Sequence, residues 1–152
     1  MNFYGVGVKL GGYSDFPKDI LQECLHNNIW YMGFHEGCKT EYEQLIQTMQ
    51  PGDVLYAKSL HQSWKEEMRL KAIGIVTADP LPNNYQHFCG VSVIWITIFE
   101  PNVNLKYLNL NFIEKINRRN TVFLETDKRI IEEIKRLMKY NAKEGNFHAE
   151  SE

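Results

Sequence analysis

The sequence predicts an α+β domain: a curved, mixed or antiparallel β-barrel flanked by about three helices. Three observations lead there. Runs of β-branched and aromatic residues recur along the chain. The polar spacers between successive runs are too short for the helical crossovers of a doubly wound parallel sheet. Three other segments place apolar residues at helical spacing.

In chain order, Phe3 to Leu10 alternates as a strand does, with Gly5 and Gly7 marking a bend or a close backbone approach. "GGYSDFP" breaks it. Ser14 or Asp15 then caps a helix with Pro17 in its first turn, and Ile20, Leu21, Cys24 and Leu25 form its apolar face. "NIWYMGF" is a short strand ending near Gly33. Thr40 and Glu43 have capping-box spacing, and Tyr42, Leu45, Ile46 and Met49 follow on one helical face, predicting a helix that stops near Gln50.

Pro51-Gly52-Asp53 turns the chain into a strand from Val54, whose two faces are set by alternation: Val54, Tyr56, Lys58 and Leu60 on one, Leu55, Ala57 and Ser59 on the other. Leu70 to Ala78 is its expected antiparallel neighbour. Val91 to Phe99 is apolar on both faces, which predicts a central strand buried on two sides. "NLKYLNLNFI" and "TVFLET" supply two further strands, and Ile130, Ile131, Ile134, Leu137 and Met138 define a helix over about 127–140. Residues 1–140 form one domain and 141–152 a polar tail.

Composition narrows the function classes. A net charge of −2 argues against a general positive field that coats nucleic acid, but leaves room for a local basic site. Three cysteines with no CxxC pair predict reduced thiols, with neither a disulfide framework nor a zinc site. No run approaches the roughly 20 apolar residues of a spanning helix, and no signal peptide is visible, so a cytoplasmic protein is expected.

Catalytic motifs are missing too. His35 and Cys38 lie close in sequence but have no orienting partner, and the scattered histidines show no metal-ligand spacing. "GVGVKLGG" is not followed by the GK[ST] of a phosphate loop. The reading is therefore a non-enzyme with no cofactor and no metal. What stands out is aromatic placement: Tyr13, Trp30, Tyr31, Phe34 and Trp64 fall in or beside loops, where a purely structural ring is less expected than on a strand facing the core. Trp30 has two readings, a core anchor under the first helix or a wall of a pocket. Trp95 is read as core.

The order of segments over residues 3–78 resembles the EVE branch of the PUA-like superfamily. Four motifs carry the resemblance: Lys9, Gly11, Gly12, Tyr13 and Ser14 before a helix; Trp30 and Gly33 in "IWYMGF"; "MQPGDVLYAKS"; and "LKAIGIVTA". The sequence departs from the family pattern in the glycines after Lys9 and in Phe34-His35 after the Trp segment. The resemblance implies a curved barrel flanked by helices that binds DNA or RNA, holding a modified or flipped base in an aromatic pocket, in prokaryotes either alone or joined to a partner restriction nuclease that acts on modified DNA.

Under that resemblance Tyr13, Ser14, Trp30, Gly33, Phe34, Lys58, Ser59 and Trp64 form the base pocket, while Lys9, Lys39, Lys65, Arg69 and Lys71 contact the backbone. Alternation allows only one of Lys58 and Ser59 to point inward. Two alternatives stand beside it. One is a protein-interaction or regulatory module built on exposed aromatics. The other is a hydrolase or nuclease like the related ASCH branch, whose GxKxxExR-like spacing Lys58, Glu66 and Arg69 do not reproduce.

Overall fold

The computed structural model describes residues 1–10, 18–35, 40–61, 67–108 and 116–151. The architecture is α+β, a curled sheet flanked by helices. Its strands are β1 (Phe3–Gly7), β2 (Lys9–Leu10), β3 (Lys18–Asp19), β4 (Ile29–His35), β5 (Val54–His61), β6 (Glu67–Val76), β7 (Phe88–Asn104) and β8 (Val122–Glu125). Helices α1 (Leu21–Asn27), α2 (Thr40–Gln47) and α3 (Lys128–Ser151) complete it. The main sheet runs β4-β7-β6-β5-β1-β8, with β2 and β3 forming a separate hairpin. Among the described residues only β1 and β5 pair in parallel, Phe3 beside Val54 and Gly7 beside Lys58.

At β1, β5 and β6 the sheet is buried on both faces and separates two cores. Tyr4, Val6, Leu55, Ala57, Ala72 and Val76 meet α1, α2 and β4 on one side. On the other, Phe3, Val54, Tyr56, Leu70 and Ile73 meet Ile130, Ile134 and Leu137 of α3. Register shifts at Ala57/Lys58 and at Ile73/Gly74 insert bulges that bend the strands. Among the described residues no helix is long and apolar enough to cross a membrane.

Local chemistry explains the junctions. Gly52 takes a φ of 96°, and the Asp53 carboxylate accepts hydrogen bonds from Asn2 N and Gln50 N, both at 2.9 Å. The Pro-Gly-Asp turn therefore ties the end of α2 to the N-terminus and sets β5 beside β1. Gly5 supplies the close approach expected of it: a Cβ there would fall 2.2 Å from the Phe123 ring.

Several boundaries differ from expectation. The first helix begins at Leu21 because Lys18–Asp19 pairs with Lys9–Leu10 and the Asp19 carboxylate accepts from Leu21 N at 2.9 Å. Asn28, at φ 52°, closes that helix with its N–H on Cys24 O. The strand expected from "NLKYLNLNFI" is instead a 3-10 turn over Leu105–Leu108, and 109–113 lie outside the described residues. α3 continues through the stretch read as a polar tail, to Ser151. Most instructive is β7: although it lies between β4 and β6, Ile94, Ile96 and Ile98 are 56%, 39% and 52% exposed, so its middle is not buried on both sides.

Candidate nucleic-acid interface

The alternation at the end of β5 resolves clearly. Lys58 follows Val54 and Tyr56 onto the α3 side of the sheet, where its Nζ donates to Asn120 O at 2.8 Å and lies 5.4 Å from the Phe123 ring centre. It is 6% exposed. Burial pulls its amine down from 10.5 to about 8. Lys58 is thus turned away from the face proposed to hold a base, which corrects its assignment to the pocket.

Ser59, half-buried, pairs with Arg69 across the β5–β6 ladder and so takes the opposite face, the one that carries Trp30. The bulge beside Lys58 leaves Lys71 as the extra residue of β6, and its Nζ lies 3.7 Å from the Asp19 carboxylate. Asp19 in turn pairs with the exposed Lys9 in the β2–β3 hairpin. A hydroxyl and the cations Lys9, Arg69 and Lys71 are thereby gathered from three distant stretches of chain.

Trp30 belongs to this face but is not an open ring. It is fully buried, and its indole Nε1 donates to Gly7 O at 2.8 Å. A base cannot stack on it in this conformation. Of its two readings the anchor holds: it locks β4 to the end of β1. Trp95 behaves similarly, its Nε1 reaching Cys24 O at 3.1 Å. Gly33 and Phe34 lie on β4 between the Tyr31–Gly90 and His35–Phe88 pairs, where the register shifts. Tyr13, Ser14, Lys39, Trp64 and Lys65 lie outside the described residues.

A second polar constellation was not foreseen. Glu125 is 2% exposed, and its Oε1 accepts from Tyr56 OH at 2.7 Å and Arg118 Nε at 3.1 Å. Its Oε2 accepts from Arg118 Nη2 at 2.8 Å and Asp127 N at 3.2 Å. Burial, together with the neighbouring carboxylate, raises the Tyr56 phenol well above its ordinary range. The carboxylate is saturated by four donors, and its effect is to staple the segment before β8 and the start of α3 onto the sheet. The signal was in the alternation, since Phe123 and Glu125 share a strand face and a carboxylate there must find partners in the core.

A surface cleft of about 550 Å³, lined by Met49, Pro51, Val76, Asp79, Leu81 and Val91 among others, opens at the Val54 end of the β5–β6 ladder. Four residues separate Val54 from Lys58, about 13 Å along a strand. The cleft and the basic face are therefore different places. On the cleft side, burial pushes the Cys24 thiol up to about 12, which leaves it unreactive.

The buried Lys58 sets a pH dependence. Below pH 8 the amine is charged in both folded and unfolded chains, and the cost of burying that charge is fully present. Between about 8 and 10.5 the folded form loses its proton first, and the cost is relieved. The shift corresponds to about 3 kcal/mol, from which the lost bond to Asn120 O subtracts about 1 kcal/mol. Lys58→Met is expected to stabilise the protein at pH 7 by about 1–2 kcal/mol, with the advantage over wild type shrinking by pH 10. Urea unfolding of both proteins at the two pH values checks this; an advantage independent of pH contradicts it.

Comparison with known proteins adds little. No protein-family model matches the chain, and no curated protein matches it. The solved structures similar to it include the NMR structure of Rpa0253 from Rhodopseudomonas palustris, at 12% identity and a TM-score of 0.46, covering 93% of this chain and 94% of that one.

Proposed function

We propose that the protein is a nucleic-acid-binding module that holds a modified or flipped base against the end of its sheet where β1, β5, β6 and the β2–β3 hairpin meet. The supporting observation is the convergence of Ser59, Arg69, Lys71 and Lys9 on one face, from segments that sequence resemblance had singled out separately. Cations gathered locally supply phosphate contacts without a positive net charge. An extruded base read by a hydroxyl and stacked on a loop aromatic is the ligand this chemistry suits.

The test is fluorescence anisotropy with short single- and double-stranded oligonucleotides, each with and without modified cytosine or adenine. One modified oligonucleotide is expected to bind preferentially, and Tyr13→Ala to weaken it by about 1–3 kcal/mol as a stacking contact does. Arg69→Ala is expected to weaken all oligonucleotides alike and to reduce the salt slope by about 1. Absence of binding to every oligonucleotide at low salt contradicts the proposal. A protein-interaction role is the second reading, favoured by the exposed isoleucines of β7.

A further inference from the structure

On the face that carries Ser59, the apolar core ends at Ala57 and Ala72. The next row is polar across three strands: Ser59 of β5 stands beside Arg69 of β6, and Arg69 beside Asn104 of β7. Residues directly opposite one another share a face, and alternation adds Glu67, because Met68 and Leu70 point into the α3 core. All four residues are half-buried.

Much of their bonding capacity is open. Among the described residues, neither the Ser59 hydroxyl nor the Arg69 guanidinium makes a hydrogen bond or an ion pair. Glu67 and Arg69 lie two residues apart on one strand face, about 7 Å, and do not pair with each other. Glu67 instead takes one long bond, from Asn104 Nδ2 to its Oε2 at 3.4 Å. The neighbouring carboxylate, Asp19, is already committed: its Oδ1 accepts from Leu21 N and its Oδ2 faces Lys71.

A carboxylate on a face that binds phosphate is repelled by the ligand unless the ligand donates to it. The phosphates and deoxyriboses of DNA carry only acceptors. A ribose adds a 2′-OH, which donates, and carboxylates hold that hydroxyl in dinucleotide sites. With a phosphate on Arg69 and the base at Ser59, the sugar is the part of the strand that meets Glu67. Resting on the nucleic-acid reading above, we propose that the ligand is RNA: Glu67, steadied by Asn104, accepts a hydrogen bond from a ribose 2′-OH and so discriminates against DNA.

Fluorescence anisotropy of the full chain tests this with three single-stranded oligonucleotides of one sequence of A, C and G, built as all-deoxy, all-ribo and all-2′-O-methyl. The ribo strand is expected to bind about tenfold or more tighter than the deoxy strand, as a hydrogen bond to a charged group does. The 2′-O-methyl strand, which has no donor there, should fall with the deoxy one. Glu67→Ala should bring the ribo strand to the deoxy level while deoxy binding stays at or above that of wild type, which also shows that the variant is folded. Equal binding of ribo and deoxy strands by wild type overturns the inference and leaves the nucleic-acid reading standing; it is the result expected if Glu67 accepts from a base instead. A ribo preference undiminished in Glu67→Ala removes Glu67 from the role. Absence of binding to all three strands at low salt overturns the inference and the reading together.

Discussion

Glu125→Ala is expected to destabilise the protein by about 3–5 kcal/mol, because removing one partner of a buried ion pair leaves the other uncompensated. Arg118 is 8% exposed and would keep its charge without its carboxylate, while the Tyr56 hydroxyl, fully buried, would lose its acceptor. For a chain of this length each kcal/mol is worth about 2–4 °C in Tm, so a fall of about 10 °C or more should appear in a thermal melt. The paired replacement Arg118→Met with Glu125→Leu removes both charges and should recover most of that loss. A double variant as unstable as the single one would show that the constellation contributes more than mutual charge compensation.

Trp30→Ala should cost about 3–5 kcal/mol, the ordinary price of emptying a large buried aromatic site. Trp30→Phe keeps most of the packing and removes the indole donor to Gly7 O, for which about 1 kcal/mol is expected. Denaturant titration separates the two. A Trp30→Ala protein as stable as wild type would place the ring outside the core. The comparison also bears on function: loss of oligonucleotide binding in Trp30→Ala would report a damaged fold, so the interface is better probed through Tyr13, Arg69 and Lys71.

Much of the fold was legible because it follows from local rules. The Asp53 turn, the alternation of β5 and the periodic face of α3 each express a single short-range preference. What escaped notice depends on pairing between distant segments. Nothing within residues 14–26 reveals that Lys18–Asp19 will be claimed by Lys9–Leu10, which delays α1 to Leu21. The apolar character of Val91 to Phe99 is compatible with burial on two sides, yet Ile94, Ile96 and Ile98 stay exposed, because what packs on each face is set by distant segments and not by the run itself.

The candidate site divides in the same way. Alternation limited Lys58 and Ser59 to opposite faces, and tertiary packing then chose which face was which. Lys58 went to Asn120 and Phe123, segments beyond the stretch covered by the family resemblance. Trp30 had a motif position that suggested a pocket wall, whereas its depth depends on α1 and on Gly7, neither of which its neighbours in sequence disclose. Glu125 could have been noticed from its place beside Phe123 on one strand face, but its partners Tyr56 and Arg118 come from separate segments.

The most direct measurement is an NMR titration of isotopically labelled wild-type protein with the tightest-binding oligonucleotide, following backbone amides. The perturbed amides are expected to cluster at Lys9, residues 11–17, Ser59, Arg69 and Lys71, with those around the Met49–Val91 cleft unchanged. Perturbations confined to that cleft or to β7, or none at any concentration of nucleic acid, would contradict it.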